Sequence, residues 1–421
     1  MVANIWALEG KSLLHKVSCQ YDGRGVHLLT DFAAAFPSVL HSWVRAVLEA
    51  LGLPLPLLRF LLVLYENSAT TIVYDFMPRG SFPFRRGIRQ GCPSSMLIFC
   101  FILDPLLRWL CDRVLSTFDW VAGYADDLGF AIMDWQVTLP RLGVAFAVLS
   151  RGTGLTLHLR KCYLLPYSVA TLCALRRFVK RSLRWKDCVV LLAARYLGAF
   201  LGPHAYLHVW QRPLARCRRA ALHIQSEHLG FARSAVLFNQ KGAGALSFIA
   251  QLYVPQRSVL AAYHDITQLI TAAPRNALAG RMLTRGRQLG LGVEVVDLEV
   301  LSRAARFRLA CSTNVASEWL AKVQRARQGD GLAVAPTEHW ARNHVHATSL
   351  YQVHLALADE GLASLRGRSH GNVQRVAVRI MNRLRPACCA NALLSRRIAH
   401  WLPLVNQLQV PRIHSPVCSN C

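Results

Sequence analysis

The chain has 421 residues, 53% of them apolar, and a mean hydropathy of +0.26. That excludes a disordered polymer and allows two or three domains with sizeable cores. Its 49 Lys and Arg against 23 Asp and Glu leave a net charge of +26, which points to a polyanionic partner, with nucleic acid foremost.

The first residues, MVANIWALEGKSLL, lack a basic segment followed by an apolar run, so no secretory signal is read there. Thirteen cysteines, odd in number and without framework spacing, then imply free thiols in a reducing, intracellular compartment. Residues 25-GVHLLTDF-32 predict a buried strand ending at Asp31. A helical pattern starts at Phe36-Pro37-Ser38, with Val39, Trp43, Val44 and Val47 on one face. Pro54 and Pro56 break it, and Leu57–Tyr65 read as a second helix. Strands are predicted at 71-TIVYDF-76 and 82-FPFRRGI-88 around a turn at 77-MPRGS-81. A greasy helix follows from Ser94 to about Val114. It and the run 53–65 are interrupted by Asp104-Pro105 and Arg59, which favours core elements over membrane spans.

The stretch 121-VAGYADDLGF-130 sets two carboxylates side by side among apolar residues. Burying adjacent like charges is expensive, and the flanking pattern suits a hairpin with Asp126 and Asp127 at its tight turn. An ordinary Asp-rich turn has the same appearance in isolation. Beyond it the charge changes abruptly. Residues 1–150 hold twelve basic and twelve acidic side chains, and residues 151–240 hold fifteen basic and only Asp187 and Glu227. Past residue 204 the pattern is mainly helical. In 373-VQRVAVRIMNRL-384 a basic stripe of Arg375, Arg379 and Arg383 runs beside an apolar face. The chain ends in 414-HSPVCSNC-421. Cys418 and Cys421 have half the spacing of a zinc site, but four ligands are not visible, so unpaired thiols are the favoured reading.

Adjacent carboxylates have a use when divalent cations sit between them. Mg²⁺ takes oxygen ligands, and two such ions about 4 Å apart serve phosphoryl transfer. Asp31, at the end of its apolar strand, is the natural third carboxylate. Between them, 87-GIRQGCPSSMLIF-99 is a Gly-rich basic loop opening a helix. Gly87 and Gly91 allow close approach of the backbone to a ligand, and Arg89 and Gln90 supply donors.

These elements in this order resemble the palm of a reverse transcriptase, closest to the non-LTR (LINE-like) retrotransposon group, over about residues 20–210. The blocks are 30-TDFAAAFPSV-39, 87-GIRQGCPSS-95, 124-YADD-127, 154-GLTLHLRKC-162 and 195-RYLGAFLG-202. The second departs from the family at Ser94-Ser95-Met96, and the fourth has His158 where Asn is common. The resemblance implies an α+β fold: an antiparallel palm sheet backed by helices in residues 1–203, with a remnant of fingers. A helical thumb-like region would span 204–300, and a basic helical C-terminal region 301–421. With only thirty residues before Asp31, most of the fingers would be missing.

The same resemblance implies the chemistry. Asp31 and Asp126 would be the main ligands of two Mg²⁺ (or Mn²⁺) ions, with Asp127 secondary and the Phe32 carbonyl assisting. Phe36 would select deoxynucleotides, Arg89, Gln90 and Gly91 would contact the incoming dNTP, and Lys161 would clamp phosphate or act as general acid. The partners implied are an RNA template, a DNA primer and dNTP, with no membrane. The competing expectation is a catalytically silent, nucleic-acid-binding remnant of such an element.

Overall fold

The computed structural model describes Asn4, Ile5, Leu8 and residues 24–66, 68–271, 279–288 and 290–312. The helix expected at 373–384 and the terminal His414, Cys418 and Cys421 lie outside these residues. The chain divides at Ala205–Tyr206 into two units.

The first unit is organised by strand β1 (Val26–Thr30), five residues with every side chain buried. It pairs antiparallel on one side with β5 (Asp127–Ile132) and on the other with β6 (Tyr163–Pro166). The β4 strand (Trp120–Tyr124) lies outside β5, and β7 (Val189–Val190) outside β6, giving the order β4-β5-β1-β6-β7. The sheet departs from the all-antiparallel expectation at its last pair, where β7 runs parallel to β6. The chain between them crosses over through a helix, Leu172–Arg181, and a crossover returns the strand in the same direction.

Alternation assigns the two faces. Val26 and Leu28, opposite Ile132 and Phe130, join Leu128 and Leu164 in one apolar core. Helices cover that face. They include α1 (Ala35–Ser38), α2 (His41–Ala50), α3 (Leu55–Val63), α4 (Ser95–Arg113) and α5 (Trp135–Thr153). Val44, Val47 and Leu48 of α2, Ile98, Phe99 and Ile102 of α4, and Leu139 and Leu142 of α5 are all buried in it. Trp43 stands half-buried, its indole N–H donating to the Ile102 carbonyl at 3.2 Å. No helix among the described residues is long and apolar enough to cross a membrane.

Two local features fix the ends of these elements. Asp119, just before β4, is buried. It accepts from the Ser116 and Met133 N–H groups and the Thr138 hydroxyl, at 3.0, 2.8 and 2.9 Å, tying β4 to the end of β5 and the start of α5. Gly154 ends α5 in the left-handed region (φ 83°), where a Cβ would stand 2.2 Å from the Ser38 carbonyl oxygen.

The hairpin after α3 corrects the expected turn. Strands β2 (Ala69–Tyr74) and β3 (Met77–Pro83) pair through a two-residue loop, Asp75-Phe76, both at positive φ (50° and 57°). The 77–81 segment, read as a turn from its Pro and Gly, is instead strand. The register jumps between Ile72 and Val73, so a bulge absorbs the Pro-Arg-Gly sequence, and every residue of both strands is exposed.

The second unit is helical where described. It contains α7 (Gln211–Ser226), α8 (Gly230–Leu237), α9 (Ser247–Leu252), α10 (Arg257–Leu269), α11 (Gly280–Leu283) and α12 (Leu298–Ser312), α6 being the crossover helix Leu172–Arg181. Asn239 fastens the segment before α12, donating to the Glu294 carbonyl and accepting from the Val296 N–H at 2.9 and 2.8 Å. The Tyr263 hydroxyl donates to the Val296 carbonyl at 2.6 Å. The last of these helices runs through position 300.

Candidate active site

Asp31 follows the last residue of β1, and the β1–β5 register has Thr30 opposite Leu128. Continuing that register by one step faces Asp31 toward Asp127, the first residue of β5. Residues directly opposite in an antiparallel pair point to the same face. It is the face away from the helix-covered core, because Leu128 and Thr30 alternate with them. Asp126 is in the two-residue loop that joins β4 to β5, beside Ala125 at φ 54°. The sequence placed both aspartates in the turn. The structure keeps only Asp126 there and gives Asp127 to the strand. All three are half-buried.

The electrostatics report the convergence. Burial, then the negative charge of Asp126 and then that of Asp31, hold the Asp127 carboxyl above its ordinary range. Among the described residues, the Lys161 ammonium lies 3.6 Å from Asp31 Oδ2, with Lys161 largely exposed. Among the described residues, no group of three His, Cys, Asp or Glu side chains is drawn together tightly enough to hold a metal ion. Three carboxylates at one end of a sheet are nevertheless the hard oxygen donors that Mg²⁺ or Mn²⁺ takes.

The segment 154–162 acts as a brace on the Asp31 backbone. Ala33 N–H donates to the Thr156 carbonyl at 2.8 Å, and His158 N–H to the Asp31 carbonyl at 2.8 Å. Phe32 forms an antiparallel bridge with Leu157. The Cys162 thiol points at the Asp31 carbonyl at 3.8 Å, and burial pushes its pKa up to about 11, so it stays protonated. Lys161, singled out for a chemical role, thus arrives beside Asp31 on a segment already fastened to it.

Phe36 stacks on Phe99 of α4, ring centroids 4.5 Å apart and planes 20° from parallel, with its ring half-buried against the core. Its carbonyl accepts from the Ile88 N–H at 2.7 Å, and the Val39 carbonyl from the Gly87 N–H at 2.7 Å. Gly87 is at φ 97°, and a Cβ there would lie 2.7 Å from the Pro37 carbonyl oxygen. The first and second blocks are therefore joined backbone to backbone, which only glycine permits. Arg89, Gln90 and Gly91 are exposed on this loop. The Arg89 guanidinium lies 5.9 Å from the centroid of the Phe84 ring, and the Arg89 carbonyl accepts the Ser95 hydroxyl.

The fifth block forms a hairpin, β8 (Ala194–Tyr196) and β9 (Ala199–Leu201), around Leu197-Gly198 at φ 47° and 88°. Its Tyr196 reaches the carboxylate face of β5, a placement that sequence reasoning missed. The signal lay in Gly129: a glycine within a strand marks a close approach by another group. Here a Cβ would meet the Tyr196 hydroxyl oxygen at 2.9 Å and Leu8 Cδ1 at 2.6 Å.

Comparison with known proteins locates this arrangement. The family model described as "Reverse transcriptase (RNA-dependent DNA polymerase)" matches residues 8–189. The retrovirus-related Pol polyprotein from the type-2 retrotransposable element R2DM of Drosophila melanogaster is 29% identical over 140 residues. The match covers 32% of this chain and 13% of that protein. The Pol polyprotein from the type-1 retrotransposable element R2 of Popillia japonica is 26% identical over 168 residues, covering 38% of this chain and 27% of that one. The matched segments are thus a small part of both relatives. A solved telomerase from Candida albicans, in complex with a TWJ fragment of telomeric RNA, aligns with 90% of this chain and 58% of its own. Its 8% identity and TM-score of 0.28 carry no argument. The family match encloses four of the five blocks, and residues 8–189 accordingly resemble a reverse transcriptase domain, with Pol polyproteins of retrotransposable elements among the proteins similar to them.

Proposed function

We propose that the chain is an RNA-directed DNA polymerase, transferring dNTP onto a primer 3′-hydroxyl with release of pyrophosphate. The observation that carries the reading is the strand register, which sets Asp31 at the end of β1 beside Asp127 at the start of β5, with Asp126 in the loop before it. Asp31 and Asp126, with Asp127 and the Phe32 carbonyl assisting, would hold two divalent cations. Such ions supply charge stabilisation for the attacking and leaving oxygens.

The chain's own residues do the rest. The 154–162 brace holds the Asp31 backbone at the end of β1, where the primer end would arrive. Lys161, beside Asp31, is within reach of a departing phosphate as clamp or general acid. Phe36, held by its stack on Phe99, would crowd a 2′-hydroxyl and so exclude ribonucleotides. The exposed Arg89, Gln90 and Gly91 present donors to the nucleotide. The Ala205–Tyr206 division supports reading 1–203 as palm and a thumb-like region as beginning near 204. Template RNA, primer DNA and dNTP are the partners in this reading.

The test is incorporation of dNTP on a primed RNA template with Mg²⁺ or Mn²⁺, beside a thermal melt. Asp126→Asn should lower the rate by about a thousandfold, several kcal/mol of barrier, with the melt unchanged or improved. Wild-type incorporation matched by the Asn variant would remove these carboxylates from the chemistry. Hybrid binding without incorporation by the wild type would replace the polymerase with a silent nucleic-acid-binding remnant.

A further inference from the structure

Tyr196 is 4% exposed, and its hydroxyl has no hydrogen-bond partner among the described residues. A buried hydroxyl left unpaired is costly, and phenylalanine would fill the same volume without that cost. The ring end rests against Gly129, 2.9 Å from where a Cβ would be. Gly129 is two residues along β5 from Asp127, and side chains two apart in a strand share a face. The hydroxyl therefore lies on the face that carries the carboxylates. A tyrosine hydroxyl, with an ordinary pKa of about 10, carries its proton at neutral pH and is available as a donor.

We propose that Tyr196 is a positioning residue for Asp127, its hydroxyl donating to the Asp127 carboxylate, directly or through one water, when the carboxylates engage a divalent cation. A bound donor would fix one carboxylate oxygen and leave the other free for the ion. Gly129 belongs to the same device, since any side chain there would drive the hydroxyl off the strand. The proposal rests on the reading of the three carboxylates as a cation site.

Mn²⁺ binding to the full chain, followed by electron paramagnetic resonance titration, tests it without relying on activity. Tyr196→Phe removes one oxygen and keeps the ring, so the melt should be unchanged or slightly higher. Its Mn²⁺ dissociation constant should rise three- to tenfold, while affinity for a primed RNA–DNA hybrid in EDTA stays as in the wild type. In primer extension the Mg²⁺ concentration for half-maximal rate should rise by a similar factor, with the KM for dNTP unchanged. Equal Mn²⁺ affinity and Mg²⁺ requirement in the two proteins would overturn the proposal, as would a loss confined to hybrid binding, which would make Tyr196 a primer contact instead. Asp126→Asn separates the two levels. If it abolishes Mn²⁺ binding that Tyr196→Phe leaves intact, the cation site stands and the positioning role falls. If the wild type binds no Mn²⁺, the cation site falls and takes this role with it.

Discussion

A carboxylate that is half-buried beside two others is relieved by taking up a proton, and Asp127 is in that position. Between the ordinary aspartate value of 3.8 and its raised folded value, the folded chain binds more protons than the unfolded one. Stability therefore falls as pH rises through that window. Asp127→Asn should melt higher than the wild type at pH 7 in EDTA, and the gain should shrink as pH is lowered toward 3.8. An equal or lower melting temperature at pH 7 would show that the cluster carries no strain. Gly154 is the opposite case, a residue with no charge and no freedom. Gly154→Ala puts a Cβ 2.2 Å from the Ser38 carbonyl oxygen at φ 83° and should cost about 2–4 kcal/mol in denaturant unfolding. The placement of Asp31, Asp126 and Asp127 at strand ends was legible from the apolar runs that they terminate. Tyr196 and Asp119 were not. What makes each matter is a neighbour far away in sequence, Gly129 for one and Met133 with Thr138 for the other.

At the scale of elements, strand β1, the long helix after the Gly-rich loop and the hairpin bearing the aspartates were all readable from apolar runs and their breakers. The β2–β3 turn was not. Proline and glycine at 78 and 80 outweighed Asp75-Phe76 by composition, yet two consecutive residues at positive φ close the hairpin one step earlier. A two-residue loop of that geometry favours Asn-Gly, and phenylalanine at positive φ is strained. Replacing Asp75-Phe76 by Asn-Gly should raise stability by about 1 kcal/mol, read as a shift in the thermal midpoint. A loss of stability would mean that Phe76, 96% exposed, makes a contact that the turn geometry does not reveal. The parallel β7 was hidden for a different reason: two residues carry no period, and only the crossover helix dictates their direction.

For the whole molecule the governing quantity is charge. The +26 excess begins near residue 151, where fifteen basic side chains face two acidic ones up to residue 240. Neutralising several phosphates releases counterions, so log K for a primed RNA–DNA hybrid should fall steeply and linearly with log salt. Asp126→Asn should leave that slope unchanged, because the slope counts phosphates neutralised by Lys and Arg. A flat titration would remove nucleic acid as the main partner.

The sheet order also has a consequence in time. Strand β1 is the first of the described strands and the central one in the finished sheet, but its partner at Leu128 comes 98 residues after Thr30, and Tyr163 later still. At a synthesis rate of roughly 5–20 residues per second, an apolar strand with two open edges waits about 5–20 seconds for its first neighbour. Its contacts are almost all non-local, which slows closure further. Open edges recruit other strands. The geometry that brings Asp31 against the aspartate hairpin therefore leaves the nascent chain with an unpaired apolar strand for the whole of that interval.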